Sequence, residues 1–185
     1  DWERFRGFER FIVGRPYWEV PVMVQRLCGI CPVSHHLAAS KALDIVAGVR
    51  EITPTAERLR RLMHYGQILQ SHALHFFHLS SPDLLFGFDE DPARRNILGV
   101  AAAAPQLAHD GIAVRKFGQQ VIERLARERV HPSWTVPGGV NAPLDPQARA
   151  IVASSAKRVS VVTAVSPGAL IDMLRRNFEF SDDGE

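Results

Sequence analysis

Only two cysteines, Cys28 and Cys31, occur in this 185-residue chain. They are too few for a disulfide framework, and a Cys-x-x-Cys pair in a chain of this size is expected to stay reduced, as a metal-holding or redox pair in the cytoplasm. Charge of either sign is also scarce in excess. The 22 Lys and Arg face 20 Asp and Glu, for a net +2, and no basic run could track a phosphate backbone, so nucleic acid is not an expected partner. Long apolar runs are missing too. The chain opens on the charged Asp-Trp-Glu-Arg-Phe-Arg, and its most apolar window, residues 97–108, is interrupted by Pro105. No signal peptide or membrane span is visible. Strand signal is slight, and there is no internal repeat or low-complexity stretch. What remains is a chain that is 46% hydrophobic, enough to bury one core, and its length suggests one domain.

The periodicity predicts a mostly α protein, a helix bundle. A short helix is expected over residues 4–13, followed by an extended run through Pro16 and Pro21 into the cysteines. After Pro32 a helix is expected over residues 33–49, with Ser34 as its N-cap. Thr53-Pro54 reads as a cap with proline at the first helical position, opening a long amphipathic helix to Ser80 that stops before Ser81-Pro82, with Arg58, Arg60 and Arg61 on its wetter side. Asp91-Pro92 reads as another start, for a helical stretch interrupted at Pro105 and running to about Arg129. A Pro/Gly-dense loop follows, and Asp145-Pro146 opens a last helix toward Asn177, kinked at Pro167. The chain therefore divides into a metal-motif segment, residues 1–50, and a helical bundle, residues 53–185.

Cys28 and Cys31 can both turn toward one centre, with Gly29 letting the backbone between them bend. Spacing alone leaves metal ligation, a redox pair and two buried thiols all open. A zinc ribbon would need a second ligand pair nearby, and His35 and His36 are too close to the same turn to complete a tetrahedron. A thioredoxin-type site would need a strand before the cysteines. Placed just before a helix, Cys31 is expected to gain thiolate character from the helix start. His35, one turn in, could donate toward a cysteine sulfur, whereas His36 points elsewhere and is read as structural. His64, His72, His75 and His78 are explained by amphipathic packing.

The surroundings narrow these choices. Arg26, Cys28, Gly29, Cys31 and His35 form Arg-x-Cys-Gly-x-Cys-x-x-x-His, which resembles the first metal-binding signature of the large, catalytic subunit of [NiFe] hydrogenases. Arg6-Gly-Phe-Glu9, Gly14-Arg15, the stretch from Gln67 to His78, His131-Pro132 and Pro137-Gly-Gly-Val140 resemble further stretches of that family. Trp18-Glu-Val-Pro21 and Cys31-Pro-Val-Ser-His-His36 are most similar to its soluble, NAD-linked bidirectional branch.

The resemblance implies a fold of the [NiFe] hydrogenase large-subunit type and heterolytic cleavage of H2, or its reversal, at a Ni-Fe centre whose iron carries carbon monoxide and cyanide. It implies Cys28 as a terminal nickel ligand, Cys31 as a thiolate bridging nickel and iron, and Arg26 and His35 as site residues. Glu9 would be a ligand of a second, hard-cation site, usually Mg2+. The implied partners are an Fe-S small subunit and a flavin-bearing NAD diaphorase module, each carrying its own cofactors. The family holds nickel with four cysteines, two of them near its C-terminus. With two cysteines, no initial Met and a start inside a motif, this sequence is expected to be the N-terminal part of a longer subunit. The rival reading is a non-catalytic scaffold like the hydrogenase-related subunit of respiratory complex I, which generally lacks the nickel-binding cysteines.

Overall fold

The structure is a computed structural model that describes residues 6–153. As the sequence predicts, it is mostly helical. Among the described residues, 6–68 with 119–150 form one compact unit and 69–118 with 151–153 a second.

In the first unit, α1 (Gly7–Ile12) is followed by a 3-10 turn (Tyr17–Glu19), α2 (Val20–Val24) and a second 3-10 turn (Gln25–Leu27). The expected extended run is thus helical. Pro21 falls in the first turn of α2, where a missing N–H breaks no helical bond and the fixed φ suits the helix. Next comes α3 (Pro32–Val46), whose N-cap is Cys31 rather than Ser34, because Pro32 occupies the first helical position. The helix closes on Gly48, at φ +74°, with Gly48 N–H donating to the Ile45 carbonyl and Val49 N–H to that of Asp44. These two bonds satisfy carbonyls left over at the helix end, and the left-handed turn needs a residue without Cβ.

The long helix α4 (Pro54–Leu74) starts as the sequence predicts, with Thr53 Oγ1 accepting from Ala56 N–H at 3.3 Å. Its buried residues Ala56, Leu59, Arg60, Met63, Gly66, Gln67, Gln70 and Ala73 recur every three to four positions, one stripe of a 3.6-residue period. Arg60 lies on that stripe and is 7% exposed, contrary to the wet-side expectation.

A two-residue hairpin, absent from the sequence expectation, completes this unit. β1 (Thr135–Val136) pairs antiparallel with β2 (Gly139–Val140) around Pro137-Gly138. Gly138 at φ +91° takes the left-handed position such a turn requires. A polar seam on α3 holds the hairpin. His36, Ser40 and Asp44, one turn apart, are all buried. His36 Nε2 accepts from Thr135 N–H at 3.0 Å, Ser40 Oγ lies 2.9 Å from Thr135 Oγ1, and Asp44 Oδ1 accepts from Gly138 N–H at 2.7 Å.

In the second unit the helical path does not stop before Ser81-Pro82. After α4 the backbone widens into a π-helical turn, His75–Ser80, and re-enters as α5 (Ser81–Phe86). Pro82 sits in the first turn of α5, and Ser81 Oγ donates to the Phe77 carbonyl at 2.6 Å. Asp91-Pro92 opens only one turn. The helix proper, α6 (Ile97–Ala103), starts at Asn96, whose side chain accepts from the N–H groups of Leu98 and Gly99. α7 (Pro105–Ala126) follows at a bend of 120°. Ala73, Phe77 and Val114 form a core cluster here, with Leu69, Phe76 and Leu107 packed against it.

The helix after Asp145 is seen over 146–153 (α8). Its expected course to Asn177 and the kink at Pro167 lie outside the described residues. No single helix among the described residues is long and apolar enough to cross a membrane.

Candidate metal centre

Cys28 ends the second 3-10 turn in extended backbone, at φ −143° and ψ 128°, and Cys31 caps α3. Two residues therefore separate a turn end from a helix start, and the chain reverses between them. Both thiols are free and half-buried. Cys28 Sγ accepts from Cys31 N–H at 3.2 Å and Ile30 N–H at 3.4 Å. One turn along α3, His35 brings its imidazole to the same point: the ligand atoms of Cys28, Cys31 and His35 all lie within 4.8 Å of one another. Among the described residues this is the only group of three or more His, Cys, Asp or Glu side chains so placed.

The two thiols are unequal. The neighbouring Cys31 thiol, together with the N–H groups of Cys31 and Ile30, pulls Cys28 below the usual thiol range. Cys31 is pushed up, because the Cys28 sulfur beside it favours the protonated thiol, burial partly desolvates it and it faces the charge on Cys28. This corrects the sequence expectation that the helix start would favour a thiolate at Cys31. The N–H groups that approach a sulfur here point at Cys28, and the Cys31 side chain makes no cap hydrogen bond.

The other predicted residues are placed differently. Arg26 is exposed in the turn before Cys28. Glu9 on α1 is also exposed and pairs with Arg6, at 2.6 Å from Nε and 2.8 Å from Nη2. His36 turns away from the cysteines, as the sequence predicts. Its Nδ1–H donates to the Pro21 carbonyl at 3.0 Å while Nε2 accepts from Thr135, so both partners require the neutral ring, and burial pushes its pKa down.

Two residues that carry no individual signal in the sequence reading stand next to the loop. Gln67, 1% exposed on α4, donates from Nε2 to the Ile30 carbonyl at 2.9 Å. Gln25, fully buried, offers its carbonyl to Cys28 N–H at 3.3 Å. The one feature that could have marked Gln67 is a polar side chain on an otherwise buried helical stripe.

Comparison with known proteins decides the family. Residues 6–88, which include the whole cysteine loop, match the family described as nickel-dependent hydrogenase. A solved NAD+-reducing [NiFe]-hydrogenase in the H2-reduced state superimposes on 92% of the chain with a TM-score of 0.88 and 56% identity. The chain belongs to the nickel-dependent hydrogenase family.

Among its relatives are the beta subunit of the NAD-reducing hydrogenase HoxS of Cupriavidus necator, 51% identical over 74% of this chain, and a vhu subunit of the F420-non-reducing hydrogenase of Methanocaldococcus jannaschii, 53% identical over 72%. The Ni-Fe-Se hydrogenase of D. vulgaris Hildenborough has the same fold over 83% of the chain, with a TM-score of 0.71 and 28% identity. The chain spans about a third of these nickel-dependent hydrogenases, from 29% of the HoxS beta subunit to 38% of the NAD+-reducing chain. The resemblance and the large-subunit fold expected from the sequence are thereby established.

The donor set fits this family's metal in part. Two sulfurs and an imidazole are soft or borderline ligands, suited to nickel or iron rather than to magnesium. With two cysteines in the sequence, the chain offers two thiolates to such a metal.

Proposed function

We propose that this chain is the N-terminal part of one large-subunit domain in a [NiFe] hydrogenase that oxidises or produces H2. The observation that carries the reading is the convergence of Cys28, Cys31 and His35 within 4.8 Å, inside the stretch that matches the nickel-dependent family. Cys28 would be the terminal nickel ligand and Cys31 the sulfur bridging nickel and iron, with the other two thiolates supplied by chain beyond this stretch. When bound, the Ni-Fe centre supplies the Lewis-acid chemistry that cleaves H2 heterolytically. Carbon monoxide and cyanide on the iron are part of this proposal.

The chain's own residues hold and orient. The N–H groups of Ile30 and Cys31 stabilise charge on Cys28. The His35 imidazole, within 4.8 Å of both sulfurs, would turn a ring N–H toward one of them, and the Arg26 guanidinium would supply fixed positive charge near the loop. Glu9 is proposed as a ligand of Mg2+, and its carboxylate would exchange the Arg6 pairing for the ion. Electrons would pass to an Fe-S small subunit and, by likeness to the NAD-reducing relative, through a flavin module to NAD in the cytoplasm.

The test is Cys31→Ser in the native complex, read by H2-dependent dye reduction and by nickel content of the purified protein. Activity and bound nickel should both be lost. An active, nickel-replete Cys31→Ser complex would remove the bridging role.

A further inference from the structure

One rigid peptide links a buried side chain on α4 to a cysteine sulfur. The Ile30 carbonyl accepts from Gln67 Nε2 at 2.9 Å, and the N–H of Cys31, the opposite end of the same peptide unit, donates to Cys28 Sγ at 3.2 Å. The unit is trans and planar, so its C=O and N–H point in opposite directions and can only turn together. Fixing one end aims the other.

Gln67 is suited to the task. It is 1% exposed and lies one turn after Met63, which is fully buried, so packing holds the side chain. A carbonyl can only accept, which requires the NH2 of the amide to face Ile30. Gln67 Oε1 has no partner among the described residues, so no competing bond there turns the amide away.

We propose that Gln67 is a positioning residue for the metal-binding pair: by holding the Ile30 carbonyl it aims the Cys31 N–H at the Cys28 sulfur and so sets the charge that sulfur presents to a bound metal. The bond to the carbonyl also polarises the peptide, making its N–H the stronger donor. Thiolates that accept N–H bonds donate less charge to their metal, which raises the potential of the centre. The second half of this inference rests on the proposed Ni-Fe function, while the aiming of the amide does not.

Gln67→Met in the full-length subunit within its native complex tests both halves. Methionine keeps the length and burial of the side chain but cannot donate. Gln67→Leu is the second variant, apolar like its surroundings and without any donor. Residue-resolved hydrogen exchange compares the Cys31 amide with that of Thr135, which is held separately by His36, so a general loosening cancels in the ratio.

The Cys31-to-Thr135 exchange ratio should rise about tenfold, the equivalent of one hydrogen bond. A redox titration of the metal-loaded complex should find the centre's potential shifted to more negative values. An unchanged ratio in both variants overturns the inference whether or not the protein is a hydrogenase. A raised ratio with an unmoved potential overturns the electronic half and leaves Gln67 a brace. A complex that never holds nickel counts against the proposed function, and the exchange arm is still read.

Discussion

Removal of Arg60 should be the most damaging single truncation in the first unit, and the size of the loss can be worked from its contacts. Arg60 binds Asp44 through both amino groups, at 2.6 Å to Oδ2 and 3.2 Å to Oδ1, and donates to the carbonyls of Val136 at 2.8 Å and Gly139 at 2.9 and 3.1 Å. The paired side chains are 8% and 11% exposed. Arg60→Ala leaves a carboxylate inside with its main counter-charge gone, at a cost of about 3–5 kcal/mol, and strands two carbonyls whose desolvation adds to the same loss without simple additivity.

Asp44→Ala strands a guanidinium that still has two carbonyls to bind, so it should cost less. The double variant should cost less than the sum of the singles by about 1–3 kcal/mol. Trp134, 2% exposed and hydrogen-bonded to the Ala142 carbonyl, reports loss of the hairpin in urea unfolding followed by fluorescence. An Arg60→Ala loss below about 1 kcal/mol, or singles that simply add, would show that the pair is solvated and refute the reasoning. The pH dependence has a fixed sign. Burial pushes Asp44 up, but the bonds from Arg60 and from Gly138 N–H outweigh it and leave its pKa below the ordinary carboxylate value. The stability this adds is full above about pH 4 and is lost as pH falls through the lower folded-state value.

Three further outcomes are expected. His36 is neutral when folded and has its pKa pushed down by burial, so the unfolded chain binds the extra proton and stability should fall as pH drops below about 6.5; a His36→Gln variant with an undiminished acid slope above about pH 5 would count against the assignment. In the metal-free, reduced chain iodoacetamide at neutral pH should label Cys28 before Cys31, following the lowered and raised thiols, and peptide mass mapping reads the order. A Cβ at position 111 would collide with the Phe77 side chain, so Gly111→Ala should destabilise the second unit by about 1–3 kcal/mol, which amide exchange along α7 would report.

The sequence carried the helices well where a local signal decided them. Thr53-Pro54 does start α4, and the 3.6-residue stripe on α4 is real. It failed where one proline allows two structures. Pro21 reads as a break but sits in a first helical turn, where its missing N–H breaks no helical bond, and Pro82 does the same for α5. Asp91-Pro92 carries a start signal that yields one turn, because Asn96, with side-chain bonds to two N–H groups, caps the helix five residues later. Arg60 misleads for another reason. Arginine is charged and reads as a water-facing residue, yet its partners, Asp44 and the hairpin carbonyls, lie far along the chain and no local pattern announces them.

The candidate site divides along the same line. Cys28, Cys31 and His35 are close in sequence and can be grouped from spacing and motif. Gln67, thirty-seven residues from Ile30, cannot. The distant contacts matter because two short elements alone do not hold a loop in one shape. Here α3 is fixed at three points along its polar seam, by Thr135 at His36 and Ser40 and by Gly138 and Arg60 at Asp44, so Cys31, its N-cap, sits on a held helix. Cys28 is tied to the same loop through the Cys31 N–H, and that loop is tied to α4 through Gln67. Every one of these bonds lies within this chain. It follows that the separation of the two sulfurs is set by contacts within this chain, and that a metal bound there need not supply the ordering free energy of the loop.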